Sequence, residues 1–266
     1  MKSLRFYAIL YLIFLYAPIA LLPVFAFNDA TIIAFPLTGF TTQWFTELPQ
    51  IPALIDSVKN SLYIAVITAL LSTLLGICAS RAAAKYTFPL KKPIMGFIMV
   101  PLVLPEIIVA VSLLVILLQL GLSLGAWTVI MGHVLICTPF CIAILNSAFQ
   151  NLDPSLEEAA IDLGESTWST FRLITLPLVS PAIISALLIS FTISLDEFII
   201  AFFLTGTEPT LPVYLWSQLR FPARIPVVMA LGTILVAGSV VLLIIAEIMR
   251  RRGLRRAGLK DSGGFL

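Results

Sequence analysis

The sequence predicts an all-α, polytopic membrane protein with six transmembrane helices. Three observations predict it: extreme apolarity, six apolar runs of spanning length, and a one-sided placement of lysine and arginine. Of 266 residues, 60% are hydrophobic and 11% charged, with a mean hydropathy of +1.07. A water-soluble domain needs more polar surface than that. The runs cover residues 6–27, 61–84, 94–120, 127–149, 181–204 and 226–249. Each reaches the roughly 20 apolar residues that a helix needs to cross a hydrocarbon core of about 30 Å. An even number of crossings leaves both termini on one side.

Basic residues choose the side. Thirteen of the sixteen, namely Lys2, Arg5, Arg81, Lys85, Lys91, Lys92, Arg172, Arg250, Arg251, Arg252, Arg255, Arg256 and Lys260, fall in the tails and in the loops after the second and fourth runs. Lys59, Arg220 and Arg224 fall opposite. Both termini are therefore expected in the cytoplasm. The net charge of +2 reflects this topology rather than nucleic-acid binding, because the basic residues flank spans instead of forming one face.

The first run follows a short basic start and ends near Ala26, which is also the pattern of a cleavable export signal. Its apolar length of about 22 residues exceeds the roughly 7–15 of a signal core, so it is expected to be retained. An external segment, 28–60, follows, punctuated by Pro36, Pro49 and Pro52. Its aromatic stretch at 40–45 is expected to lie on the membrane surface, as an interfacial anchor or as a docking surface for an external partner.

In the third run Pro101 and Pro105 each remove a backbone donor. A kink or break is expected there, facing protein or a cavity, since freed backbone is not tolerated against lipid. On the fourth run His133, Cys137 and Cys141 recur every four residues. The two outer side chains stand about 12 Å apart along the axis, too far to share one ion bound at about 2.0–2.3 Å. Buried thiols and a hydrogen-bonded imidazole are expected instead, and no metal. On the fifth run Ala182, Ala186, Ser190 and Ser194 form a small-residue stripe that admits a second helix closely.

Between the fourth and fifth runs, Asp153 and Pro154 read as an N-cap and first helical position, starting a short helix over 156–163. Gly164 should end it in left-handed geometry. Ser166 or Thr167 should cap a second short helix that Pro177 stops before the fifth run. Asp153, Glu157, Glu158, Asp162 and Glu165 oppose Arg172 alone, giving an acidic loop suited to a basic groove on a soluble partner.

Glu106, Asp196 and Glu197 lie within spans, where a carboxylate costs about 2.5–3.5 kcal/mol on insertion scales. Counted along continuous helices, Glu106 is about 18 Å and Asp196 about 23 Å from the start of its run. No lysine or arginine is available at that depth, so the three are expected to line a path for a cation. Structural bonding to backbone or to a partner chain is the competing reading.

Within the loop, Glu158, Ala159 and Ala160 are followed after three residues by Gly164, after nine more by Ile174, and then by Leu176 and Pro177. Seven specified residues at roughly one chance in ten each match a random register on the order of once in ten million. The spacing resembles the signature of permease subunits of bacterial ABC importers. Further strings, Gly39 to Trp44, Asn60 to Leu62, Pro105-Glu106, Ser190 to Glu197 and Leu204 to Gly206, look like the second permease of spermidine/putrescine importers.

The resemblance implies a type I ABC importer permease fold. It implies a single transmembrane permease domain over 1–266, with first span 6–27, five-helix core 61–249 and cytoplasmic coupling loop 150–180, in a bacterial inner membrane. It also implies a second related permease, two ATP-binding subunits and a periplasmic substrate-binding protein as partners, with ATP and Mg bound by the ATPase and no cofactor here. In agreement, the chain lacks a G-x-x-x-x-G-K-[ST] phosphate loop. Substrate alternatives within that class are ferric iron or phosphonate, which would favour basic cavity residues. An ion-coupled secondary transporter stands outside the class; the loop motif and the lack of an inverted repeat argue against it.

Overall fold

The computed structural model describes the backbone of residues 2–256 and the side chains of residues 4–241 and 244. The carboxyl-tail arginines therefore lie outside the described side chains, and Lys260 lies outside the described residues. The architecture is helical, with Asn28 and Phe40 forming an isolated antiparallel bridge. Among the described residues, five helices are long and apolar enough to cross a membrane, or six if one bent pair of helices counts as a single span. Two compact units divide the chain, residues 1–52 with 215–266 and residues 53–214.

In the first unit, α1 (Lys2–Ala26) packs along α12 (Ile225–Arg256), with Leu22 against Gly232. The segment after α1 folds back on itself. Trp44, on the short α2 (Gln43–Glu47), is buried and donates its indole N–H to Asn28 O at 2.7 Å. Phe27 stacks on Phe40 at 5.2 Å between ring centroids. Within the aromatic stretch Trp44 is turned inward, because a buried indole donor requires a partner and the Asn28 carbonyl supplies it, while Phe40 stays exposed.

In the second unit, α3 runs over Pro52–Lys85. It starts nine residues before the expected 61, because Pro52 occupies the first helical position, where a missing N–H costs nothing. At 34 residues it is about 51 Å long and overshoots a membrane core. Its ends clip the loops on either side. Asn60 Nδ2 donates to Glu208 O at 2.7 Å, and Ser61 Oγ accepts from Leu211 N at 2.7 Å, where α11 (Leu211–Gln218) begins. At its other end, Arg81 and Lys85 reach the loop that follows α6 (Ala126–Gln150).

The third span is broken rather than kinked. α4 (Lys91–Ile98) and the 3₁₀ turn Val100–Leu102 meet α5 (Glu106–Gln119) at 102°. Two prolines four apart remove the donors that would have carried the helix through, so the depth counted for Glu106 along a continuous helix does not hold.

The fourth-to-fifth loop holds α7 (Pro154–Asp162) and α8 (Thr167–Thr170), which continues through a π-helical turn at Phe171–Thr175 into α9 (Leu176–Asp196). Pro177 does not stop the helix, as the sequence suggested. It sits in the first turn of α9, next to a wide turn that already departs from the i→i−4 ladder. The fifth span instead breaks at Glu197 and Phe198, before α10 (Ile199–Leu204).

α6 is largely buried, and its His133, Cys137 and Cys141 ladder meets the small-residue stripe of α9 rung by rung. Cys137 Sγ lies 3.8 Å from Ser190 O, and Cys141 Sγ lies 2.8 Å from Ser190 Oγ. Ala186 and Ser190 are fully buried in that seam. Cys137 and Cys141 thus share Ser190 as a partner, through its carbonyl and its hydroxyl.

Candidate functional site

Two places gather the sequence-predicted residues. The first is the loop. Asp153 caps α7 by accepting from Ser155 N at 3.0 Å, which also holds its carboxyl below the usual range. Gly164 has φ +91°, Gly164 N donates to Ile161 O at 2.9 Å, and Glu165 N donates to Ala160 O at 3.1 Å. These paired bonds form a Schellman C-cap. Ser166 Oγ then caps α8 by accepting from Ser169 N at 3.2 Å.

The motif residues divide by exposure. Ala160 is buried and Ile174 and Leu176 are partly so, while Glu158, Ala159, Gly164 and Pro177 are exposed. Beside them stand exposed Leu163, Trp168 and Leu173. The acids Asp153, Glu158, Asp162 and Glu165 of the same loop are exposed as well.

Sequence reasoning counts Glu157 among the free acids, and the structure removes it from that set. Glu157 Oε1 lies 2.5 Å from Arg81 Nη1 and accepts from Thr175 Oγ1 at 2.5 Å, and Oε2 lies 2.8 Å from Lys85 Nζ. Burial alone would raise this carboxyl, but bonds from Arg81, Lys85 and Thr175 outweigh it and hold it down at about 2. The Arg81 guanidinium also lies 5.3 Å from the centroid of the Phe171 ring. One carboxylate thereby ties α7 to the end of α3 and to the π turn. The i, i+4 spacing of Arg81 and Lys85 was the available signal, a basic pair in need of an acid.

The second place is the pair of helix breaks. α10 packs against α5, and Val109, Ala110, Ile200 and Ala201 belong to one buried cluster. Glu106 sits at the first position of α5, about one turn before Val109, and is exposed. Asp196, the last residue of α9, is exposed too. Along the chain, Glu106 stands three residues before Val109 and Asp196 four residues before Ile200.

Glu197 differs from its neighbour, being 7% exposed. It lies in the break between α9 and α10 rather than on either helix. Its Oε1 accepts from Ile200 N at 3.0 Å and its Oε2 from Ala201 N at 3.0 Å, capping α10. His133 Nε2 lies 3.1 Å from Glu197 Oε2, and His133 Nδ1 lies 2.7 Å from Ser194 Oγ. The expectation of three unpaired acids fails at Glu197, because counting lysine and arginine overlooks the imidazole. A histidine inside an apolar span, obliged to find partners, was the available signal.

Other motif strings resolve into loop clips. Thr205 Oγ1 donates to Glu208 O at 2.5 Å, and Gly206 has φ +66° with its Cα face against Leu124 O, where a Cβ would lie 2.5 Å away. Among the described residues, no group of three or more His, Cys, Asp and Glu side chains could hold a metal ion.

Residues 72–254 match the family described as binding-protein-dependent transport system inner membrane component. The chain is 35% identical over 239 residues to the spermidine/putrescine transport system permease protein PotC of Escherichia coli, covering 90% of each. It is 34% identical over 237 residues to the putrescine transport system permease protein PotI of Escherichia coli, covering 85% of this chain and 83% of the relative. Among solved structures, a bacterial alginate ABC transporter in complex with alginate pentasaccharide-bound periplasmic protein matches at a TM-score of 0.72. It shares 23% identity and covers 94% of this chain and 93% of that one. At that identity the likeness shows the fold alone.

Proposed function

The chain belongs to the family of binding-protein-dependent transport system inner membrane components, a multi-pass permease subunit rather than an enzyme, and on that premise we propose that it imports polyamines such as spermidine and putrescine. Its partners in this reading are a second related permease, two ATP-binding subunits that hold ATP and Mg, and a periplasmic binding protein. Glu158, Ala159, Ala160, Gly164, Ile174, Leu176 and Pro177 build the surface that docks the ATPase. The termini lie in the cytoplasm with that loop, as the basic residues favour.

The observation that carries the substrate class is the pair of exposed carboxylates, Glu106 and Asp196, at two helix breaks within apolar runs, 94–120 and 181–204, that contain no lysine or arginine. A bare half-helix N-terminus carries about +0.5 charge and suits an anion. Glu106 covers that end of α5 with a full negative charge, so the break favours a cation and disfavours phosphonate. An amine close to a carboxylate gains about 4 kcal/mol at an effective dielectric of 20. A path must release its cargo, so a weaker net attraction at more than one acid suits transport better than one tight site.

Uptake of labelled spermidine and putrescine by the complete complex in membrane vesicles tests the reading. Asp196→Asn and Glu106→Gln keep shape and remove charge, and each is expected to slow uptake about tenfold, or ~1.4 kcal/mol, with assembly intact. Wild-type uptake by both variants would refute the acidic path and the cationic substrate with it.

A further inference from the structure

We infer that His133 and Glu197 form a clasp across the α9–α10 break that positions Asp196, and that Glu197 is not itself a cation ligand; this rests on the proposed path role of Asp196. The imidazole touches both sides of the break. Its Nδ1 is 2.7 Å from Ser194 Oγ, on the last turn of α9, and its Nε2 is 3.1 Å from Glu197 Oε2, which caps α10. Asp196 lies between those two attachments in the chain.

Each Glu197 oxygen already accepts a backbone N–H of α10, at 3.0 Å in both cases, and one of them also faces the imidazole. The ring's other nitrogen, Nδ1, faces the Ser194 hydroxyl, so both imidazole nitrogens are turned toward the break. The cluster is closed: His133 is fully buried, Ser194 is 4% exposed and Glu197 7%. A substrate ammonium could reach Glu197 only by displacing the imidazole or uncapping α10. Asp196 is exposed beside it.

The backbone shows why a clasp is needed. Glu197 leaves the helix at φ −65° and ψ 124°, which ends the α9 hydrogen-bond ladder ahead of α10. α10 has six residues, too few to hold itself without its cap and its packing against α5. With both helices tied to one imidazole on α6, the exposed carboxylate between them is held in one place.

Epistasis separates positioning from ligation. Glu197→Gln and His133→Gln would be made singly and in an Asp196→Asn background. The complete complex would be assayed at saturating binding protein for uptake rate and for amine moved per ATP hydrolysed. Each single variant is expected to assemble, hydrolyse ATP and move about fivefold less amine per ATP. In the Asp196→Asn background neither should slow uptake further, since the group they aim is already gone. Losses that multiply would make Glu197 an independent ligand and overturn the clasp. Failure of both single variants to assemble would reduce it to a purely structural bond and overturn it equally. Wild-type uptake by Asp196→Asn alone would instead refute the path role on which the clasp rests.

Discussion

Replacing Glu157 by glutamine should loosen the loop without unfolding the protein. The amide side chain would keep the volume and an acceptor for Thr175, but would lose the charge that faces Arg81 and Lys85. A carboxyl held at about 2, against an ordinary value near 4.5, corresponds to about 3 kcal/mol favouring the charged form. The side chains of Glu157, Arg81 and Lys85 are 17%, 18% and 28% exposed, so solvent screens part of this and the two bases can be rehydrated when the acid is removed. About 2 kcal/mol is a fair expectation, or a ~30-fold rise in the open population of α7. Amide hydrogen exchange of the complex in nanodiscs reads this directly, as ~30-fold faster exchange across Pro154–Asp162. The acid dependence has a definite sign. Because the folded-state value is lowered, the stabilisation is complete above about pH 4.5 and is lost as pH falls towards about 2. Protection of α7 should decline through that window in the native chain and stay flat in the variant. Exchange within threefold of the native rate would refute a structural role for the bridge.

Gly164→Val should raise the ATP hydrolysed per amine transported, whereas Gly164→Asn should stay close to the native ratio. A Cβ at Gly164 would meet nothing within 4 Å, so the penalty is the left-handed backbone at φ +91° alone, about 1–2 kcal/mol for an ordinary residue and less for asparagine. Native coupling in the valine variant would mean that the turn can be rebuilt without its C-cap. For orientation, a cysteine introduced at Arg172 should resist an impermeant thiol reagent in intact cells and react in inside-out vesicles, with the reverse at Thr207. Exposed Cys78 must first be replaced, and Cys137 and Cys141 are buried. Labelling at 172 from outside would overturn a cytoplasmic loop.

The loop is legible because its signals are local. An N-cap aspartate, a proline one residue later and a glycine at the C-cap act within a few residues of where they stand, and the structure forms the α7 turn from those groups. The helix breaks are half legible. Two prolines announce the one before Glu106, but Glu197 carries no breaker. A carboxylate at the end of an apolar run reads as a buried charge in search of a ligand, and its service as a cap depends on Ile200, Ala201 and a histidine sixty-four residues earlier. Arg81 and Lys85 read only as orientation signals for the same reason, since their acid lies far along the chain. In each case a charge and its cost are visible in the sequence, while the partner that offsets the cost is set by packing. The unpaired remainder, Glu106 and Asp196, is therefore more telling than the original three. Among the described residues of the third and fifth spans, these two are the carboxylates left exposed once Glu197 and its internal partners are set aside.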